Sequence, residues 1–408
     1  MNRPASPLRK LIQSDAFLIA LALLGTLLRL AIIFKTRHQP PFYDETTYHD
    51  IALALLHGEG FKDINYFTAY RPPAQPAFAA IIFGIFGDHY LPVRIFEALL
   101  LAIIPFICSR VGHAIGLSPF AANVGAALAA FHPAIAYASS TIYPTILTTI
   151  AVTLGVWLSW QAFTKNRTTT AVAAALVLAL AGAATTTFAP LAFLIGCLIA
   201  LKRNFKIAII IALVGTAPAV GWMVRNKIVM HDFALATNGG YNLLLGANDE
   251  ATPRSGNWVV LTPDWTKGEV YLDRQQAKQA KQWISTHRAH YAELVILRAF
   301  VVFDSVGKPA TAGLHESKLA QIVAWSLLPI MLFGLLGMFL KWKHPITWFS
   351  AAALGLVILS SAFTIAKPRF RLPCDPLLCV YAAAGASAVK HRFSGGSPQK
   401  QQGLSSIA

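Results

Sequence analysis

Charge is scarce in this sequence. Only 13% of its 408 residues are Asp, Glu, Lys or Arg, against 55% apolar. A soluble domain carries about 25% charge, so this chain has too little polar surface to stay dissolved. Acid is scarcer than base: 18 Asp and Glu stand against 34 Lys and Arg, for a net charge of +16. That excess does not describe a nucleic-acid binder, because the basic residues are scattered through short links between apolar runs. Cysteine is limited to four residues. Cys108 and Cys197 fall in apolar segments, and Cys374 and Cys379 lack the His and Cys company of a zinc site, so all four read as packing residues. Neither a Walker-type phosphate loop nor a Rossmann fingerprint occurs, which argues against an ATPase and against a nucleotide-sugar enzyme with a Rossmann-like domain. His49, His57, His132 and His231 show no metal-ligand spacing.

Long apolar runs are abundant. Residues 16–34, 205–224, 319–340 and 348–365 each approach or exceed the roughly 20 residues that cross a bilayer core. A repeated series of this kind indicates a multi-pass membrane protein. Basic links at Lys165 and Arg167, Lys202 and Arg203, Lys341 and Lys343, and Lys390 and Arg392 carry the positive-inside signature, with Arg3, Arg9 and Lys10 before the first run. Both termini then read as cytoplasmic. The first run is too long for a cleavable signal and lacks a small-x-small exit, so it is expected to stay as an anchor.

The fold class is therefore an all-α polytopic membrane protein. Apolar segments follow at 74–87, 91–107, 120–138, 143–160, 171–185, 188–201 and 205–224. The basic links alternate correctly if 74–107 makes one crossing, with 74–87 shallow or re-entrant. Seven crossings then precede an external loop and three follow it, about ten in all (nine to twelve). The expected organisation is a membrane module over 1–224 with its first external loop at 35–73, an external region over 225–318, terminal spans over 319–389 and a cytoplasmic tail over 390–408, disordered from 394. Within the external region, 247–264 is turn-rich and 271–298 is strongly helical.

The feature hardest to reconcile with a membrane protein is Asp44-Glu45, two carboxylates just past the first apolar run. Residues 46–57 have helical periodicity, with Tyr48, Ile51, Ala52, Leu55 and Leu56 on one face and Gly58 and Gly60 beyond the end. Such a helix would hold the pair near the interface. The same external face collects Tyr70 and Arg71, Arg225 and Asn226, Asn238 and Tyr241, and the late loop with Lys367, Arg369 and Arg371. Charged groups at membrane depth are costly and usually functional. Guanidinium groups suit a phosphate through bidentate contacts, and a carboxylate nearby can take a proton from an attacking hydroxyl. Plainer roles compete: Asp44 as a helix N-cap, Arg71 reaching lipid phosphates, Arg369 and Arg371 as interfacial anchors.

The order Tyr43-Asp44-Glu45-x-x-Tyr48, then Ala54 to Phe61, then Tyr70-Arg71-Pro72-Pro73, resembles the amino-terminal signature of bacterial GT-C fold membrane glycosyltransferases. These are relatives of the protein O-mannosyltransferases and of the lipid A aminoarabinose transferase. The similarity continues in Trp222-x-x-Arg225-Asn226, in Asn238-Gly239-Gly240-Tyr241-Asn242 and in Arg369-Phe370-Arg371-Leu372-Pro373. The resemblance implies a bacterial inner-membrane enzyme with a polyprenyl-phosphate-linked sugar donor, an active site facing the periplasm or cell exterior, inversion at the anomeric carbon, and a lipid, glycan or protein acceptor. It implies Asp44 as general base with Glu45 beside it, Arg71 near the donor phosphate, and Arg369 and Arg371 as the basic pair of the late loop. Tyr48, Tyr70, Arg225, Asn226, Asn238 and Tyr241 would complete the substrate site. Two departures stand out. Phe370 occupies a position more usually Tyr, and the segment after His132-Pro133 lacks the acid that relatives often carry. Asp44, Glu45 and a donor phosphate leave room for a divalent cation without supplying a closed ligand set. Two other classes remain open: a transporter or flippase of lipid-linked sugars, and a non-catalytic scaffold in polysaccharide assembly.

Overall fold

A computed structural model of the chain describes residues 11–39, 44–254, 265–304 and 318–393. Tyr43 of the first-loop signature, the latter part of the turn-rich stretch and the tail from 394 lie outside the described residues. Every regular element among the described residues is helical. Helix α1 (Asp15–Thr36) starts at Ser14, whose hydroxyl accepts from the Phe17 amide, and carries Asp15 in its first turn and Lys35 in its last. Both charges oppose the helix dipole.

The first loop carries α2 (Asp44–Leu56), whose bounds fall within two residues of the expected helix at its start and one at its end. The next helix, α3 (Ala74–Phe86), ends at Gly87, where a φ of 80° suits glycine. Both of its flanks meet α2: Arg71 before its start meets Asp44, and Asp88 after its end meets His49 at 2.6 Å. The chain then descends through α4 (Tyr90–Leu100), a 3-10 turn and α5 (Ile104–Ala114).

Subsequent helices run back and forth: α6 (Pro119–Ala130) with the short α7 (Pro133–Ala138), α8 (Thr145–Lys165), α9 (Thr168–Ala184), α10 (Leu191–Ala200) and α11 (Phe205–Met230). After the external region come α15 (Lys318–Leu340), α16 (Pro345–Phe363), a 3-10 segment (Pro368–Cys374) and α17 (Asp375–Phe393). Among the described residues, seven helical stretches are long and apolar enough to cross a membrane: α1, α4 with α5, α6 with α7, α8, α11, α16 and the stretch containing α17. The shorter apolar helices α9, α10 and α15 complete the alternation, making ten passes between two ends. The chain is a multi-pass membrane protein. Terminal helices α15 and α17 pack backbone to backbone. A Cβ added to Gly337 would lie 1.9 Å from the Tyr381 carbonyl, and one on Gly385 would lie 2.3 Å from that of Phe333. Small residues permit this approach in membrane helices.

The two ends differ chemically. At one, the basic links meet: the Asn204 and Asn166 amides lie 3.4 Å apart, the Lys202 ammonium sits 4.7 Å from the Trp348 ring, and the His344 ring lies 4.5 Å from that of Trp160. At the other end lie the first loop, residues 131–144, 185–190, 364–374 and the external region. The latter contains α12 (Gly239–Leu245), α13 (Glu269–Thr286) and α14 (Arg288–Val301). The expected single helix over 271–298 is divided at His287. There the backbone leaves helical values (φ −121°, ψ 40°), and the imidazole stacks on Trp283 at 4.7 Å.

One side chain locks the external region to the first loop. Glu269, at the start of α13, accepts from the Thr68 amide (2.6 Å), the Thr68 hydroxyl (3.0 Å), the Ala69 amide (3.0 Å) and the Thr237 hydroxyl (2.5 Å). Helix α12 lies directly on α13. A Cβ on Gly240 would fall 1.9 Å from the Asp273 carbonyl, while the Gly240 amide donates to the Asp273 carboxylate at 2.6 Å.

Candidate active site

Helix α2 opens with Asp44 and ends its first turn against the membrane module, so its two acids point to different surroundings. The Asp44 carboxylate faces a cavity of about 280 Å³ bounded by the first loop, residues 143–145, 184–188, α12 and the late loop. Its Oδ1 accepts from Arg71 Nη2 at 2.6 Å, and its Oδ2 lies 3.7 Å from Arg369 Nη2. Burial alone would push this carboxyl up; the guanidinium groups of Arg71 and Arg369, with Lys367 behind them, outweigh burial and hold it below the usual carboxylate range. Asp44 is therefore an anion that three cations share.

Aromatic rings hold those cations. The Arg71 guanidinium lies 5.4 Å from the Tyr48 ring centroid and 4.9 Å from that of Tyr70, and Arg369 lies 4.8 Å from the Tyr143 ring. Such stacking orients a guanidinium without neutralising it. Burial pushes the Tyr48 and Tyr70 phenols up to about 12, so both remain protonated hydrogen-bond donors. Burial and the neighbouring Arg369 lower the Lys367 ammonium to about 8.

The sequence-derived site residues separate into two groups. Asp44, Tyr48, Tyr70, Arg71, Asn238, Tyr241 and Arg369 all line the cavity. Glu45, Arg225, Asn226 and Arg371 do not. Glu45 is buried behind α2, where its Oε1 accepts from the Ile142 amide at 2.8 Å and lies 3.7 Å from Arg94 Nη2. It fixes the backbone beside Tyr143. Arg225 donates to the Thr68 carbonyl at 2.9 Å and stacks on Trp222 at 4.8 Å, while the Asn226 amide donates to the Ala234 carbonyl at 2.8 Å. This pair clamps the two loops over the cavity. Arg371 turns inward, bonds Asp375 at 2.7 Å and also donates to the Val302 carbonyl.

Several lining groups escaped the sequence reading of the site. Lys367 and Tyr143 belong to strings already noted, but nothing in their spacing marked them. Thr185, Thr186, Thr187, Ser361 and Thr364 come from two helix ends far apart in sequence and add hydroxyl groups to the same cavity wall. Asp375 was also missed. It lies fully buried 3.3 Å from His132 Nε2, at the start of α17 and away from the cavity. Among the described residues, no group of three His, Cys, Asp or Glu side chains could hold a metal ion. Asp44 is the one carboxylate among the described lining residues and already meets two guanidinium groups. This donor set does not fit a divalent cation.

No protein-family model matches the sequence, and no curated protein matches it. Solved structures do. An oligosaccharyltransferase from Archaeoglobus fulgidus, tethered to an acceptor peptide containing the NVT sequon, superposes with a TM-score of 0.51 at 12% identity, over 95% of this chain and 52% of its own. The chain has the GT-C fold. It spans about half the length of the archaeal structure. ArnT from Cupriavidus metallidurans also matches, in its apo state (TM-score 0.40, 13% identity, 91% of this chain and 79% of that one) and bound to undecaprenyl phosphate (0.41, 14%, 93% and 79%). Within the GT-C fold, the end with the first loop carries the ion pairs Asp44–Arg71, Glu45–Arg94 and Asp375–Arg371.

Proposed function

We propose that this protein is an inverting membrane glycosyltransferase that moves a sugar from a polyprenyl-phosphate-linked donor to an acceptor hydroxyl. The observation that carries the proposal is the juxtaposition of Asp44 with Arg71 and Arg369, at 2.6 and 3.7 Å, in a cavity at one end of a membrane bundle. A lipid-linked donor keeps its tail in the bilayer and presents its headgroup there. The solved structure of ArnT with undecaprenyl phosphate is a GT-C precedent for the lipid; the assignment here rests on this chain's own residues.

The chemistry follows from the charges. Without substrate, Asp44 neutralises part of the cationic wall. An arriving donor phosphate takes hydrogen bonds from Arg71 and Arg369. The hold of these cations on Asp44 weakens as they are shared, and its carboxylate becomes a stronger base. An acceptor hydroxyl then transfers its proton to Asp44 as its oxygen attacks the anomeric carbon. The sugar–oxygen bond to phosphate breaks on the opposite face, and the electron pair leaves with the phosphate, held by Arg71, Arg369 and Lys367. Preorganised cations at the point of charge development supply the electrostatic part, and Asp44 the proton-transfer part.

The site is assigned to the periplasmic or external side of the bacterial inner membrane. Supporting this are the basic links Lys165, Lys202 and Lys341, which gather at the opposite end as the positive-inside rule requires of a cytoplasmic face. Reconstitution into liposomes with a panel of polyprenyl-phosphate sugars, followed by mass spectrometry of transferred and released products, tests the proposal. Transfer that falls at least about 100-fold in folded Asp44→Asn is expected. Undiminished transfer in that variant removes Asp44 as base, and movement of donor across the bilayer without transfer establishes a flippase instead.

A further inference from the structure

The cavity carries information about the sugar as well as the phosphate. Its charged groups are committed to one another: Asp44 meets Arg71 and Arg369, and Lys367 stands behind them. With these charged groups assigned to the phosphate and the transferred proton, the groups left for the sugar ring are neutral. Among the described residues, the Thr186 and Ser361 hydroxyls and the Asn238 and Asn242 amides all line the cavity without a hydrogen bond from another protein group. Ser361 lines the cavity and is otherwise buried, at 2% exposure. Hydroxyls and amides donate and accept in turn, which matches the vicinal hydroxyls of a sugar ring. Asp44 is the one carboxylate among the described lining residues and already meets two guanidinium groups, so a cationic amine on the sugar would meet a wall in which Arg71, Arg369 and Lys367 outnumber it.

On the reading that the protein is a polyprenyl-phosphate-dependent glycosyltransferase, we infer that its donor sugar is a single neutral monosaccharide, selected against amino sugars by the Thr186, Ser361, Asn238 and Asn242 wall. The volume of about 280 Å³ is on the scale of one sugar ring with its phosphate, which is the basis for expecting a monosaccharide. Selection has two components. Neutral hydroxyls satisfy the wall, whereas a free ammonium repels Lys367 and Arg369 and strands its own charge away from water. Repulsion of the wrong substrate is the larger of the two.

The test compares three synthetic donors on the reconstituted full-length protein: a polyprenyl-phosphate hexose, the same donor with one ring hydroxyl replaced by a free amine, and the corresponding disaccharide. Transfer is read by mass spectrometry, and binding by the concentration of each donor that raises the melting temperature. The hexose is expected to exceed the amino donor by about 100-fold in kcat/KM, equivalent to about 2.7 kcal/mol, and the disaccharide should fail. Ser361→Asp should narrow or invert the preference, because it places a carboxylate where the amine would sit. Equal or better use of the amino donor overturns the inference while leaving the glycosyltransferase reading intact. If no donor is transferred, that reading fails, and the binding series decides the selectivity alone: equal stabilisation by hexose and amino donors overturns it.

Discussion

Two clusters in this molecule are built from the same parts and behave as opposites. Asp44 with Arg71 and Arg369 lines a cavity, whereas Asp375 with Arg371 and His132 is sealed, with Asp375 at 0% exposure and Arg371 at 1%. Arg369 and Arg371 are two residues apart on one 3-10 segment and serve different clusters. In the sealed cluster every charge has an internal partner, and Arg371 also bonds the Val302 carbonyl at the end of the external region. In the open one, aromatic rings hold Arg71 and Arg369 while both residues still line the cavity. An ion pair therefore reads as structural or functional by its access to a cavity, not by its residue types.

Variants can separate the two clusters. The largest effect is expected from Asp375→Ala, which strands Arg371 and His132 in the membrane bundle. Removing one member of a buried pair costs about 3–5 kcal/mol, so thermal unfolding in detergent should show a strongly destabilised protein. Replacing Arg371 and Asp375 together by Met and Leu should recover much of that loss, since neither charge is then left alone. In the open cluster, Asp44→Asn should retain the wild-type melting temperature within a few degrees and lower turnover by about 10²–10⁴-fold. Wild-type stability with lost turnover is the outcome that distinguishes this cluster from the sealed one.

Smaller effects sharpen the boundary. Glu45→Ala removes the acceptor for the Ile142 amide and should lower kcat/KM about 10-fold, the scale of one buried hydrogen bond. Glu45→Gln keeps an acceptor oxygen there and should restore most of it; failure of that rescue would point to the charge, and to Arg94, instead. The smallest effect is a pH dependence. The Lys367 ammonium titrates near 8 in the free protein, so its charge is present below that pH and lost above it. Donor kcat/KM should decline as pH rises through 8, and Lys367→Arg should flatten that decline.

Much of this arrangement was legible in the residues. Spans followed from apolar runs, and α2 from the spacing of Tyr48, Ile51, Leu55 and Leu56. Other parts depend on contacts that spacing does not encode. Nothing in Arg369-Phe370-Arg371 says that the first guanidinium faces the cavity and the second faces Asp375, because the tight 3-10 turn decides it. Nothing in Asp44-Glu45 says that adjacent acids on a helix point about 100° apart, one to the cavity and one to Ile142, until the packing of α2 is known. The hydroxyl wall was the least legible. Thr186 and Ser361 are ordinary residues at helix ends until the fold brings them together.

Glu269 has a consequence for the life history of the protein. Its partner Thr68 lies 201 residues earlier in the chain. At synthesis rates of 5–20 residues per second, that interval amounts to roughly 10–40 s. Throughout that time the first loop is outside the membrane, with the Thr68 and Ala69 amides still waiting for their carboxylate. A newborn molecule therefore has its first loop and early helices well before it has a closed site, and the fastening of that site is among the last events of its biogenesis.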